Sequence, residues 1–434
     1  MTTGNEPFAQ TLPRSVSYTA YVIVLLWIAN IINYTDRYAL AMLLPAIKKD
    51  MLLSDTQLGM LVGFGFALFY AICGIPVARL ADAGNRRNII TAGLVVWSAM
   101  TAACGLALNF WHLLLARVGV GAGEACCMPP SQSLICDYVP RRWRSPVLAF
   151  HQSGLFIGMM VSMALAGWLG SVIGWRLAFA VIGLPGVVLG LLILLTVREP
   201  ERGRLDGHVQ PKAAVGFGEA LLSLLRVRPY VFIVGFYIAH GFVTQSLNQW
   251  WPSYYVRVLG AAPAAIGLPL ELAIGVGSSL GLLAGGILSS RFADRGLKWP
   301  LMIGGVLAIG TVPLAAVALT TGSLATSLIA VTCINMLINI SVGPALASLY
   351  NVTSPSIRGL AGSLPIFFAA TLGFGFGPFL VGFFSDLLAQ DYGQLSLRYA
   401  MITPVAALPL ITVALCGTAL TLPAETPSGS PTEA

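Results

Sequence analysis

Twelve stretches of this chain stay apolar for twenty residues or more, and that repetition constrains the fold more than any other feature of the sequence. At 1.5 Å per residue, a helix of that length crosses a hydrocarbon layer about 30 Å thick. The stretches run approximately over 18–44, 56–81, 88–108, 111–136, 146–172, 176–197, 229–256, 263–290, 299–320, 323–350, 358–388 and 396–422. They lack the polar/apolar alternation of a barrel strand, and backbone in lipid must satisfy its own hydrogen-bonding groups. The expectation is an all-α integral membrane protein with twelve transmembrane helices. With 57% hydrophobic and only 9% charged residues, the composition departs from that of a soluble domain in the same direction.

The few charges set orientation. If the N-terminus is cytoplasmic, seventeen of the 24 Lys and Arg residues fall in inside segments and five (Lys48, Lys49, Arg176, Arg257, Arg398) outside, while Arg37 and Arg117 lie within spans. The positive-inside rule then places both termini in the cytoplasm, and the short tails suit a cytoplasmic (inner) cell membrane. The net charge of +7 is topological: the basic residues are dispersed over short loops with no aromatic-interleaved patch, so no nucleic-acid partner is expected. The seven cysteines lack metal-ligand spacing, and no metal or cofactor is expected.

The longest interval without a span divides the chain. The expected organisation is a cytoplasmic segment 1–17, a six-helix bundle 18–197, a cytoplasmic linker 198–228, a second six-helix bundle 229–422 and a tail 423–434. The halves echo each other: Gly74, Arg79, Asp82 and Arg86 in "GIPVARLADAGNRR" recur 212 residues later as Gly286, Arg291, Asp294 and Lys298 in "GILSSRFADRGLK". Equal spacing at the end of the second span of each half indicates an internal duplication.

"RLADAGNRR" resembles the loop between the second and third helices of the major facilitator superfamily, usually G-x-x-x-D-R-x-G-R-R, with Ala78, Ala83 and Asn85 in place of its Gly, Arg and second Gly. Together with "NYTDR" at 33–37, "FWHLLLARVGVGAGEA" at 110–125 and "VREPERG" at 197–203, it looks like the Spinster family. The resemblance implies two pseudo-symmetric six-helix bundles around a cavity lined mainly by the first and fourth helices of each half and opening alternately to either side. It further implies that Asp82, Arg86, Arg87, Asp294 and Lys298 form a cytoplasmic latch between bundles; an ordinary basic inside loop is the other reading of these residues.

Charges within spans are costly, about 2.5–3.5 kcal/mol each on insertion scales, and they normally face a bundle interior or cavity. Asp36 and Arg37 lie on the first span, Arg117 and Glu124 on the fourth. Asp36 and Arg117 are expected at similar depth, roughly 12 and 9 Å from the outer end, with Glu124 on the face of Arg117 about 10 Å deeper. Arg37 is rotated by about 100° from Asp36. The expectation is an Asp36–Arg117 pair with Glu124 as the proton site, Asp36 also belonging to the coupling pair. Desolvation disfavours a charged carboxylate and a nearby cation favours it, so proton occupancy should respond to which side the cavity faces. A static network fastening two helices is the alternative.

In the second half, His240, Thr244 and Asn248 form one stripe at i, i+4 and i+8, with Gln245, Gln249, Trp250 and Trp251 alongside; Asn335 and Asn339 add a second polar face. Glu271 is a further candidate on the eighth span, or else a residue near the outer interface. Neutral hydrogen-bonding groups opposite a charged half suit an amphipathic ligand, though polar residues also bind helices together. No H-E-x-x-H or G-x-S-x-G is present, so no enzyme is expected. The reading is a proton-coupled transporter of an amphipathic lysophospholipid or sphingolipid-type substrate, acting as a monomer among membrane lipids. The alternative is a symporter or exchanger of small organic anions such as sugar acids.

Overall fold

Twelve helical rods account for nearly all of the chain in the structure, a computed structural model that describes residues 16–201, 217–292, 296–353 and 357–422. The first half comprises Val16–Met51; Asp55–Val62 continued by Phe64–Ala83; Arg86–Cys104; Phe110–Glu124 continued by Met128–Tyr138; Arg141–Val172; and Gly174–Thr196. The second comprises Arg228–Arg257; Pro263–Arg291; Lys298–Thr320; Leu324–Asn339 continued by Val342–Asn351; Arg358–Phe368, Ala369–Gly375 and Phe376–Leu387; and Ser396–Ala400, Ile402–Ala406 and Leu408–Thr421. A short helix, Phe217–Leu225, stands in the expected linker. Ten rods are long and apolar enough to cross a membrane by length and composition. The third and fourth fall outside that group: the third spans 19 residues and begins on Arg86 and Arg87, and the fourth carries Arg117 and Glu124 and is broken into helices of 15 and 11 residues.

Local sequence chemistry sets the rod ends. Ser54 forms a capping box with Gln57 at the start of the second helix, and Asn85 and Asn109 accept backbone N–H groups at the starts of the third and fourth, each satisfying a donor the helix leaves unpaired. Gly174, at φ +80°, turns the chain between the fifth and sixth rods in a conformation that favours glycine. Within the second half, Gly277, Gly281 and Gly285 face the backbone carbonyls of Thr332, Met336 and Ile340, and a Cβ at any of them would come within 2.3 Å of that oxygen. This small-residue stripe seats the eighth helix directly on the tenth.

Among the described residues, the two halves close on each other at the face opposite the chain ends. There a Cβ on Gly63 would stand 2.3 Å from the Gly375 carbonyl oxygen, on Gly382 2.1 Å from that of Asp55, and on Gly267 2.3 Å from that of Met163. Toward the other face, Gly74 and Gly286 meet nothing within 4 Å. Charges lock the closed face. Asp55, 1% exposed, accepts from Lys48, from Arg257 Nη1 at 2.8 Å and from Ser385 Oγ at 2.6 Å. In return, Asp386 of the eleventh helix accepts the backbone N–H groups of Asp55 and Thr56, at 2.8 and 2.7 Å, and the Thr56 hydroxyl at 2.6 Å. One half therefore caps a helix of the other with a carboxylate, at the end where the helix dipole favours negative charge. Gly382→Ala drives a methyl group into this seam. It should raise alkylation of a cysteine placed at Gln57 at least tenfold, in a background free of the seven native cysteines; unchanged labelling would mean that the seam yields locally.

In this structure, which is open at the face where a latch is expected, Arg86 and Arg87 bond within the first half. Arg86, 1% exposed, pairs with Asp137 at the end of the fourth helix and with Glu199 Oε1 at 2.7 Å beyond the sixth. The backbone N–H of Arg87 donates to Glu199 and its Nη1 to the Val197 carbonyl. These partners all belong to the first half, because the segment after the sixth helix folds back beneath the third. Lys298 is exposed beside the Trp299 ring. The side chain of Asp82, and Asp294 altogether, lie outside the described residues.

Candidate functional site

The first and fourth helices do bring their charges together, with a pairing different from the expected one. Arg37 donates to Glu124 Oε2 from Nη2 at 2.6 Å and from Nε at 2.9 Å, and Nη2 lies 3.4 Å from Asn33 Oδ1 one turn earlier. The Glu124 side chain is fully buried and that of Arg37 15% exposed. The guanidinium carbon of Arg37 stands 4.8, 4.5 and 4.9 Å from the ring centres of Tyr34, Phe66 and Tyr70, within cation–π range of all three. The fourth helix breaks at Ala125–Cys127, just after the carboxylate.

Asp36 and Arg117 do not form the expected ion pair. Both carboxylate oxygens of Asp36, and Nε and Nη1 of Arg117, are buried without a hydrogen-bond partner. Asp36 points into the bundle toward the hydroxyls of Ser98 and Thr101 of the third helix. Arg117 lies 5.4 Å from the Phe66 ring. A rotation of about 100° per residue accounts for the exchange: the turn that aims Arg37 at the fourth helix aims Asp36 at the third.

Between the halves lies a chamber of about 600 Å³, within the usual size of small-molecule sites. The seventh helix contributes the expected stripe of His240, Thr244 and Asn248 with Gln245, and the tenth contributes Asn335 and Asn339. Several of these are anchored: Thr244 to the His240 carbonyl at 2.7 Å, Gln245 to the Tyr38 hydroxyl at 3.3 Å, Asn339 to Ser278 at 3.3 Å. Trp250 stands apart from the chamber. It is wholly buried, and its indole N–H donates to the Pro378 carbonyl at 2.9 Å, fastening the seventh helix to the eleventh. Glu271 lies on the chamber wall, 3% exposed, and not at an outer interface.

The opposite wall is apolar and comes from helices the sequence does not single out. Leu155, Phe156, Met159 and Met160 of the fifth helix face Leu272, Val276 and Leu280 of the eighth. Phe156, Val276 and Leu280 are 42%, 48% and 47% exposed, so this wall continues onto the protein surface. A second gap of about 20 Å³, room for about one water, lies between Arg37, Phe66 and Arg117 on one side and Gln249 and Phe374 on the other; Gln245 borders both spaces. The arrangement offers a polar wall, an apolar wall and a neighbouring cationic pair. The aromatic cage and the Asp55–Asp386 clamp also escape a reading of the sequence, although Phe66 and Tyr70, one turn apart, and an acidic pair-forming Asp55 in so weakly charged a chain are the signals that mark them.

Residues 26–378 match the Major Facilitator Superfamily. An MFS-type efflux pump of Mycolicibacterium smegmatis is 33% identical over 384 residues, covering 88% of this chain and 87% of that one. Human protein spinster homolog 1 is 27% identical, with 86% and 74% of the two chains aligned. Among solved structures, a bacterial homologue of the human lysosomal transporter Spinster, in an inward-facing and unoccupied conformation, superposes with a TM-score of 0.83 at 28% identity, covering 94% of this chain and 98% of that one.

Proposed function

The chain belongs to the Major Facilitator Superfamily and is a membrane transporter similar to Spinster proteins, and from that premise we propose that it moves an amphipathic lysophospholipid or sphingolipid-type substrate by proton-coupled alternating access. The observation that carries this reading is the two-sided chamber. Amides, a hydroxyl and an imidazole on the seventh and tenth helices suit a headgroup, while the fifth and eighth helices offer an apolar wall that reaches the surface. A single-chain lipid has the same division. The chamber is built within one chain, consistent with a monomeric transporter.

Glu124 is the proton site in this reading, with Asp36 as a second carboxyl on the same path. When Glu124 takes up a proton it loses its charge, and its hold on Arg37 weakens from an ion pair to a neutral hydrogen bond. The cage of Tyr34, Phe66 and Tyr70 keeps the freed guanidinium at the first helix, beside the gap that Arg117 shares. A cation thereby becomes available to an anionic headgroup as the proton arrives. With the termini in the cytoplasm, the orientation that the Lys and Arg distribution favours, the closed face is external and the state is read as inward-open.

The experiment is transport of a labelled anionic lysophospholipid, lysophosphatidylglycerol, below its micelle-forming concentration, in proteoliposomes with and without an imposed pH gradient. Gradient-dependent flux should exceed that of empty liposomes at least tenfold, and Glu124→Gln should lose the gradient response while remaining folded. Flux of sugar acids in the same vesicles, with none of the lipid, would overturn the substrate class. A Glu124→Gln protein still driven by the gradient would overturn the proton role.

A further inference from the structure

The four midspan charges of the first and fourth helices sum to zero: Asp36 and Glu124 against Arg37 and Arg117. Glu271 is a fifth charge with no counterpart. It is 3% exposed, sits within the eighth span, and makes no hydrogen bond or ion pair among the described residues, yet it lines the 600 Å³ chamber. Among the described residues, no Lys or Arg lines that chamber. The titratable groups that face Glu271 across it are Tyr38 of the first helix and His240 of the seventh; the fifth and tenth helices present only Leu, Phe, Met and Asn there. A carboxylate in such surroundings must be neutralised, by a proton or by a cation.

We propose that Glu271 is the cation-recognising group of the chamber, neutralised alternately by a proton and by the amine or quaternary ammonium of an amphipathic substrate. The proposal rests on the transporter reading of the same chamber and adds to it the charge of the cargo. The exchange balances. In the empty chamber Glu271 is a neutral carboxylic acid. As the substrate's cation arrives from the open face, the O–H bond of the acid breaks, the proton leaves to solvent through that face, and a carboxylate–ammonium pair takes its place. For the cation alone the net charge of the occupied chamber equals that of the empty one, and the phosphate of a zwitterionic lipid is matched by the Arg37 guanidinium freed when Glu124 is protonated; the bare carboxylate is the form that membrane burial disfavours. For a cation without an anionic group, proton and cation compete for one carboxylate and are exchanged in opposite directions; a zwitterionic lysolipid also brings proton uptake at Glu124, so its net proton count is the difference between the two steps. Asn248, Gln245 and Asn335 are placed on the polar wall to hydrogen-bond the rest of the headgroup.

The test uses the purified full-length protein and tetraphenylphosphonium, a permanent lipophilic cation with no proton of its own. Equilibrium binding from pH 6 to pH 9 should be saturable and should tighten as pH rises, and in weak buffer each bound cation should release up to one proton. Glu271→Gln should weaken binding at least tenfold and release no proton; Glu271→Asp, which keeps the charge, should retain both in weaker form and shows that loss in the Gln protein is not misfolding. Absence of saturable binding at every pH, or equal binding and proton release in Glu271→Gln, overturns the proposal. A lipid arm separates it from the reading it rests on: in proteoliposomes, amine-bearing lysophosphatidylethanolamine should move at least tenfold faster than lysophosphatidylglycerol of the same chain, and Glu271→Gln should erase the difference. If phosphonium binds through Glu271 while neither lysolipid moves, the lipid substrate fails and the cation site stands. If both lysolipids move equally and phosphonium does not bind, the cation site fails alone.

Discussion

Arg37→Ala should destabilise the protein by about 3–5 kcal/mol, the range for removing one partner of a buried ion pair and stranding the other. Glu124, whose side chain is fully buried, has no second cation at hydrogen-bond distance among the described residues: Arg37 supplies both of its charged hydrogen bonds, and its other oxygen has no partner. The double variant Arg37→Ala/Glu124→Gln should regain most of that loss, because a neutral amide replaces the stranded charge. Denaturant unfolding of the three proteins in detergent, together with flux in proteoliposomes, separates the roles. Stability should recover in the double variant while transport does not. Equal destabilisation of single and double variants would mean that Arg37 acts through its packing on Tyr34, Phe66 and Tyr70 and not through its charge.

Asp386→Ala should release the closed face. The carboxylate accepts three hydrogen bonds from the start of the second helix, two of them from backbone N–H groups that the helix itself cannot satisfy. Hydrogen bonds to charged groups are worth about 1.5–3 kcal/mol each, so loss of even one net interaction of this size shifts the two-state equilibrium by a factor of about 10 to 150 toward the form open at that face. Spin labels on the two halves near Gly74 and Gly286, which meet nothing within 4 Å, should approach one another as the far face opens. A distance distribution identical to that of the parent protein would show that the glycine seam alone holds the face shut. Asp55→Asn is expected to act in the same direction, since it frees Arg257 and Lys48 of their common partner.

The rods were legible in the sequence because lipid leaves a spanning segment few options: length and apolarity suffice for ten of them. The third and fourth are harder, since the residues that lower their hydropathy, such as Ser98, Arg117 and Glu124, are those facing the bundle interior. The charged residues announced themselves for the same reason, each being expensive in a membrane. Their pairing did not, because it turns on helical phase: Asp36 and Arg37 are neighbours in sequence but face different helices. Trp250 could not be placed without knowing that Pro378, 128 residues away, offers its carbonyl. The fifth- and eighth-helix wall was invisible for a different reason. Leu155, Phe156 and Met159 read as lipid-facing residues, and only tertiary structure tells which apolar side chain meets lipid and which meets a chamber.

The Arg37–Glu124 pair joins residues 87 positions apart, and that separation bears on how the protein is made. At about 5–20 residues per second, the first helix waits roughly 4–17 seconds for its partner to be synthesised. During that interval it holds Asp36 and Arg37 uncompensated, each costing about 2.5–3.5 kcal/mol on insertion scales. Tyr34, whose ring lies 4.8 Å from the guanidinium on the same helix, is the one cage member available from the start; Phe66 and Tyr70 come with the second helix. Biogenesis of this chain therefore requires that the first helix be kept beside the insertion machinery, or snorkel its arginine toward a headgroup, until the fourth emerges. A chain truncated before Glu124 would be held by its own unfinished electrostatics.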